Sequence, residues 1–203
     1  MAKTKIAVLV SGGGTNLQAL IDSVGKGILK SGELALVLSG NREAFALERA
    51  KKAGIPTAIV VKKECADQAD FEQKMKAILK EHGIELIVLA GFMNILSADF
   101  TNDYPERIIN VHPSLIPSFC GKGFYGLRVH EAALSYGVKV TGATVHFVNE
   151  IPDGGRIIAQ KAVEIMEGDT PEILQKRVME QAEWILLPQA VEKVSYELKE
   201  KKS

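Results

Sequence analysis

A chain of 203 residues, 46% hydrophobic and 25% charged, is long enough to bury one sizeable core and suits a single globular domain. Its 25 basic and 25 acidic residues cancel, which removes the electrostatic case for a nucleic-acid groove or an anionic membrane surface. The two cysteines, Cys65 and Cys120, and the four histidines are spaced for neither a disulfide framework nor a zinc site, and no apolar run reaches the roughly 18 residues of a membrane span.

The first residues lead straight into a strand and leave no room for the apolar region of a signal peptide. The expectation is a cytoplasmic protein with reduced cysteines, no metal and no membrane or nucleic-acid partner. Apolar runs rich in Val, Ile and Leu at residues 5–10, 34–38, 57–61, 84–89 and 108–111 predict buried strands. Amphipathic stretches near 16–24, 44–53 and 67–82 predict helices between them, with Gly54 and Gly83 as C-terminal stops. Strand and helix alternating in this way imply a Rossmann-like α/β fold, a mostly parallel sheet with helices on both faces.

Beyond residue 138 the pattern changes. Residues 138–148 and 156–163 are β-rich and flank Asn149-Glu150-Ile151-Pro152-Asp153-Gly154-Gly155, which predicts antiparallel strands around a longer loop. A last helix opens at Thr170, with Pro171 in its first turn. The segment 113–126 has little regular pattern, and irregular segments of that length are often functional.

Two segments carry chemistry. Ser11-Gly12-Gly13-Gly14-Thr15-Asn16-Leu17 follows the first strand and opens the first helix, where backbone N–H groups can turn toward an anion. The second strand ends without the acid of a dinucleotide site, and no Gly-Lys-Ser/Thr is present, so a single phosphate monoester fits best. A tight turn capped by Asn16 would explain the same residues without a ligand. Asn110-Val111-His112-Pro113-Ser114-Leu115-Ile116-Pro117 closes the fifth strand, and its period of two projects Asn110 and His112 to one face. An amide, an imidazole and the carboxylate of Asp153 are the parts that move an acyl group between two nitrogens. Singly, each also reads as an ordinary turn or core residue.

Taken together, Ser11 to Leu17, Leu89-Ala90-Gly91-Phe92-Met93, Ile95-Leu96-Ser97, Asn110 to Pro117 and Asp153-Gly154-Gly155 closely resemble the phosphoribosylglycinamide formyltransferase family of purine synthesis. The resemblance runs from residue 5 to about 190. It implies one formyltransferase domain over 1–203, with a phosphate-binding half to about residue 100 and a folate-binding, catalytic half beyond. It implies formyl transfer from 10-formyltetrahydrofolate, a co-substrate, to the amine of glycinamide ribonucleotide, with small-molecule partners only and a monomer or homodimer. Asn110, His112 and Asp153 match the catalytic set. Gly14, Thr15 and Asn16 match the holders of the ribonucleotide phosphate, and Glu183 a further ribonucleotide contact. Met93, Asn94, Ile95 and Leu96, with Asn149, Glu150, Ile151, Pro152, Asp153, Asn110 and Gln68, match the folate contacts. The chain departs from many members at Asn94, where arginine is common, and at Gln68, where a basic residue is. Its longer stretch Ser118 to Gly126 is either a cover over the substrates or a surface excursion.

Other polar residues give weaker signals. His146 reads either as a support for the catalytic set or as a buried residue. His130 reads either as a helix residue or as a peripheral part of the site, His82 as a helix end, Trp184 as core, and Cys120 lacks a base beside it. Rival activities with the same Asn-x-His motif call for extra domains or a nucleotide site that these residues do not suggest. A non-catalytic sensor of a phosphorylated metabolite remains a different class of reading, since fold alone does not exclude it.

Overall fold

The computed structural model describes residues 2–201. Its centre is one seven-stranded sheet in the order β3-β2-β1-β4-β5-β6-β7. The strands are β1 (Thr4–Val10), β2 (Gly32–Ser39), β3 (Thr57–Ile59), β4 (Leu86–Leu89), β5 (Ile108–His112), β6 (Val140–Phe147) and β7 (Ile157–Glu164). β1 to β5 run parallel, and β6 and β7 are antiparallel to their neighbours, as the sequence pattern implies. Helices α1 (Thr15–Gly25), α2 (Phe45–Lys52), α3 (Gln68–Glu81), α4 (Ala98–Asn102), α5 (Leu127–Tyr136), α6 (Pro171–Val178) and α7 (Trp184–Glu200) flank it.

Alternation along the strands sorts the core into two layers. Ile6, Val8 and Val10 of β1, with Ile109 and Val111 of β5, pack with Leu17 and Leu20 of α1 and with Leu174, Leu187 and Val191 of the last helices. Ala7, Leu9 and Ile108 pack on the other face with Phe71, Met75 and Leu79 of α3 and Phe100 of α4. Both faces of the parallel strands are therefore buried, which is why their sequences read as continuous apolar runs.

The predicted elements differ from the observed ones mainly at their ends. β3 and β4 are shorter than expected: the Val60 N–H makes the closing β2–β3 bond, to the Ser39 carbonyl, and the Ile84 N–H returns to the Leu79 carbonyl and finishes α3. α4 and a π-helical turn at Met179–Glu183 were not anticipated. Thr170 caps α6 through its side chain, with Pro171 at the first turn, as expected. Among the described residues no helix is long and apolar enough to cross a membrane.

Chain order along the sheet reverses beside β1: β2 and β3 lie on one side, β4 and β5 on the other. The carboxyl ends of β1, β4 and β5 therefore open into a crevice of the kind where α/β sheets bind ligands.

Candidate active site

A cavity of about 660 Å³ occupies that crevice. Asn16 enters it from α1, Gly91 to Ile95 from the turn after β4, and Asn110 to Pro113 from β5. Gly121 to Gly126 and His130 add a further wall, with Pro152, Asp153, Gln175, Met179 and Glu183 completing it. Both halves of the chain thus supply wall residues.

Asn110 and His112 share a face of β5, and β6 runs antiparallel beside them. Asn110 sits directly opposite His146, so their side chains meet: Asn110 Nδ2 lies 3.2 Å from His146 Nε2. The other ring nitrogen, His146 Nδ1, is 2.7 Å from the Phe147 carbonyl. A carbonyl only accepts, so Nδ1 carries a hydrogen, and the Asn110 amide donates to Nε2 when that nitrogen is unprotonated. In that form Asn110 keeps a second amide hydrogen for another partner.

His112 is nearly fully buried. Its Nε2 donates to the Phe119 carbonyl at 2.8 Å, and its Nδ1 faces Asp153 Oδ2 at 3.5 Å. Burial lowers the His112 pKa below the ordinary histidine value, against the opposing pull of Asp153 and of the Phe119 carbonyl. Attraction between Asp153 and His112 is therefore present, as charge proximity requires, but it does not win. For Asp153 burial works upward, yet the hydrogen bond from His146, the nearby His112 and the Gly121 N–H together hold its pKa low. Asp153 Oδ2 accepts that Gly121 N–H at 2.8 Å, and Oδ1 lies 3.6 Å from His146 Nε2.

The turn after Asn149 delivers Asp153 with φ at +57°, a left-handed conformation that aspartate tolerates better than most residues. Gly155 must lack a side chain, since a Cβ there would lie 1.8 Å from the Phe147 carbonyl oxygen. On the other side, Thr144 ties down the residues after His112. Its hydroxyl donates to the Ser114 carbonyl at 2.7 Å and accepts the Ile116 N–H at 3.1 Å.

At the phosphate-loop candidate, Gly14 takes φ +73° and presses on α2, where a Cβ would come within 2.6 Å of Ala46 Cβ. No side chain caps the start of α1, so its first N–H groups are available to an anion. Of the three predicted phosphate residues, Asn16 lines the cavity. Thr15 lines a neighbouring groove of about 360 Å³, and Gly14, half-buried, lines neither. Asn16 Nδ2 donates to Glu183 Oε2 at 2.7 Å. Glu183 is buried, which pushes its pKa up to about 7 against the opposing Asn16 hydrogen bond. The π-helical turn helps to aim it: Gln175, Met179 and Glu183, four residues apart, all face the cavity, and a wider turn offsets the drift a straight α-helix would give that spacing.

Met93, Asn94, Ile95 and Pro152, matched to the folate contacts, line the cavity, while Leu96 packs into the core at 5% exposure. Asn149, Glu150 and Ile151 form the approach to Pro152, where Asn149 Oδ1 accepts the Ile151 N–H at 3.0 Å. Gln68 stands outside the cavity wall and is engaged by Glu72 and by the Ile95 carbonyl. Lys122, Tyr125, Gln175 and Met179 line the cavity although no motif marks them, and His130 lines it too, in keeping with the peripheral alternative. Their signal was the long irregular segment and the helix after Thr170. Trp184, read as core, is half-buried and borders the smaller groove.

Residues 4–191 match the model of the formyl transferase family, and the chain belongs to that family. It is 40% identical over 177 residues to phosphoribosylglycinamide formyltransferase of Haemophilus influenzae, covering 87% of this chain and 81% of that protein. Over 193 residues it is 45% identical to the trifunctional purine biosynthetic protein adenosine-3 of Gallus gallus, covering 95% of this chain but 18% of that much longer protein. Among solved structures, glycinamide ribonucleotide transformylase 1 from Symbiobacterium toebii superposes with a TM-score of 0.89 at 37% identity, covering 96% of this chain and 89% of the other.

Proposed function

We propose that this protein transfers the formyl group of 10-formyltetrahydrofolate to the amine of glycinamide ribonucleotide. The products are formylglycinamide ribonucleotide and tetrahydrofolate, in purine synthesis. The observation that carries the reading is the meeting of Asn110, His112 and Asp153 in one cavity that also takes in Asn16 at an uncapped helix start and the apolar Met93 and Ile95. The first group suits a phosphorylated substrate, the second a flat heterocycle. Gly14, Thr15, Asn16 and Glu183 are assigned to the ribonucleotide. Met93 to Leu96, Asn110 and Asn149 to Asp153 are assigned to the formyl donor.

In the reaction, the lone pair of the ribonucleotide amine forms a bond to the formyl carbon and leaves a tetrahedral oxyanion. The free Asn110 amide hydrogen is the oxyanion's donor, an interaction whose removal costs about 10²- to 10³-fold in rate. Collapse breaks the bond to folate N10, and the proton lost by the attacking nitrogen is the one N10 gains. His112 carries that proton or supports the oxyanion, with Asp153 facing its Nδ1. General acid–base help of this kind contributes roughly 10²- to 10⁴-fold. A reacting atom that bonds to Nε2 takes the place held by the Phe119 carbonyl. Holding both substrates in attack geometry supplies much of the remaining acceleration. The setting this implies is cytoplasmic, with small-molecule partners only.

The test mixes purified protein with both substrates and follows tetrahydrofolate release by ultraviolet absorbance. Release that requires the ribonucleotide supports the transferase. Release without it indicates a deformylase, and binding without turnover indicates a sensor; either result overturns the proposal.

A further inference from the structure

We propose that Glu72, buried beneath the 91–97 turn and outside the cavity wall, is a positioning residue for the formyl donor. Through Gln68 and Ser97 it sets the shape of the turn that presents Met93, Asn94 and Ile95. The proposal rests on the formyl-transfer reading and adds to it a residue that touches neither substrate.

Glu72 is 3% exposed on α3, with no cation against it among the described residues. Its carboxylate accepts instead from the Gln68 side-chain amide, the Ser97 N–H and the Ser97 hydroxyl. A carboxylate accepts only, so it satisfies these donors together, whereas an apolar side chain would leave the half-buried Ser97 N–H without this partner. Each partner passes the constraint on. Gln68 Nε2 also donates to the Ile95 carbonyl at 3.2 Å, in the middle of the turn. Ser97 Oγ accepts the Phe100 N–H at 3.2 Å and so begins α4. At the turn's other end the Met93 N–H donates to Ser11 Oγ at 3.0 Å.

These anchors matter because only part of the turn packs on the core. Met93 is 57% and Ile95 63% exposed, while Leu96 is buried and Phe92 packs partly against the core. Two large exposed apolar side chains on a pinned backbone form a surface for the flat ring of a heterobicyclic ligand, not for the phosphate and hydroxyls of a ribonucleotide. Disturbing the clamp therefore weakens the donor selectively.

Steady-state kinetics of wild type, Glu72→Gln, Glu72→Leu and Gln68→Ala, each substrate varied in turn, test this alongside hydrogen exchange over residues 91–100 without substrates. Glu72→Leu is expected to raise KM for 10-formyltetrahydrofolate about tenfold, with kcat and the ribonucleotide KM changed by less than about twofold. Glu72→Gln keeps one acceptor oxygen and gives an intermediate value. Exchange at Ser97 accelerates in the same order, and adding Gln68→Ala to Glu72→Leu contributes less than it does alone. An unchanged donor KM in Glu72→Leu, or equal rises for both substrates, overturns the proposal. Should wild type show no transfer, the functional reading fails by itself. The clamp is then judged by exchange, and unaltered protection in Glu72→Leu refutes it.

Discussion

Asn110 and His146 face each other across β5 and β6, and that pairing decides what the amide can do. With His146 Nδ1 committed to the Phe147 carbonyl and Nε2 unprotonated, one Asn110 hydrogen is spent on Nε2 and the other is free for the oxyanion of the proposed reaction. Replacing Asn110 by alanine should lower kcat by about 10²- to 10³-fold while leaving the ribonucleotide KM nearly unchanged, because the lost bond forms only as charge develops. A fall in ribonucleotide affinity with kcat intact would assign Asn110 to substrate binding instead. The sequence made Asn110 and His112 legible through their spacing of two on a strand. The bond from His146 Nδ1 was not legible, because it depends on a carbonyl that only the folded strand brings near. Nor was the balance at His112, where burial outweighs the carboxylate.

At the scale of elements, the turn that carries Asp153 is fixed by close approach. Gly155→Ala would place a methyl against the Phe147 carbonyl and must displace either the turn or the strand. A lowered Tm, a loss of about 1–3 kcal/mol and a reduced kcat are expected together, since Asp153 moves with the turn. Thermal denaturation with an activity assay checks this, and an alanine variant as stable and active as wild type would contradict it. The sequence exposed this turn through Asp-Gly-Gly between two β-rich runs. It did not reveal the π-helical turn before α7, because residues 179–183 have an ordinary helical composition and the extra width shows only in backbone bonding. Gln68, matched to the folate contacts by the resemblance alone, has its amide engaged by a buried glutamate one turn on and by the Ile95 carbonyl, which no pattern in the sequence reveals.

Across the whole molecule one sheet joins the two halves, and the cavity draws its walls from both. Unfolding should therefore be a single cooperative transition. Glycinamide ribonucleotide at about 100 times its Kd should raise stability by about 2.7 kcal/mol across that one transition. Two resolved calorimetric transitions would contradict this. Stability should also depend on pH through two buried groups of opposite sign. Folded Glu183, with its pKa raised to about 7 from 4.5, holds a proton that the unfolded chain has lost, so its contribution falls as pH rises through that window. Folded His130, lowered by burial to about 4 from 6.5, refuses a proton that the unfolded chain takes, so its contribution falls as pH drops through that window. Between 4.5 and 6.5 the two partly cancel. Glu183→Gln should shift the pH of maximum stability upward and His130→Gln downward, measured by urea denaturation from pH 4 to 8. Curves parallel to wild type in both variants would show that neither group carries the linkage.

The most direct measurement compares wild-type and His112→Ala protein in formyl transfer, with binding of each substrate followed by calorimetry. The account predicts that both substrates still bind the variant while transfer falls by roughly 10²-fold or more. Transfer at the wild-type rate in a folded His112→Ala protein would contradict the assignment of the cavity's chemistry to Asn110, His112 and Asp153.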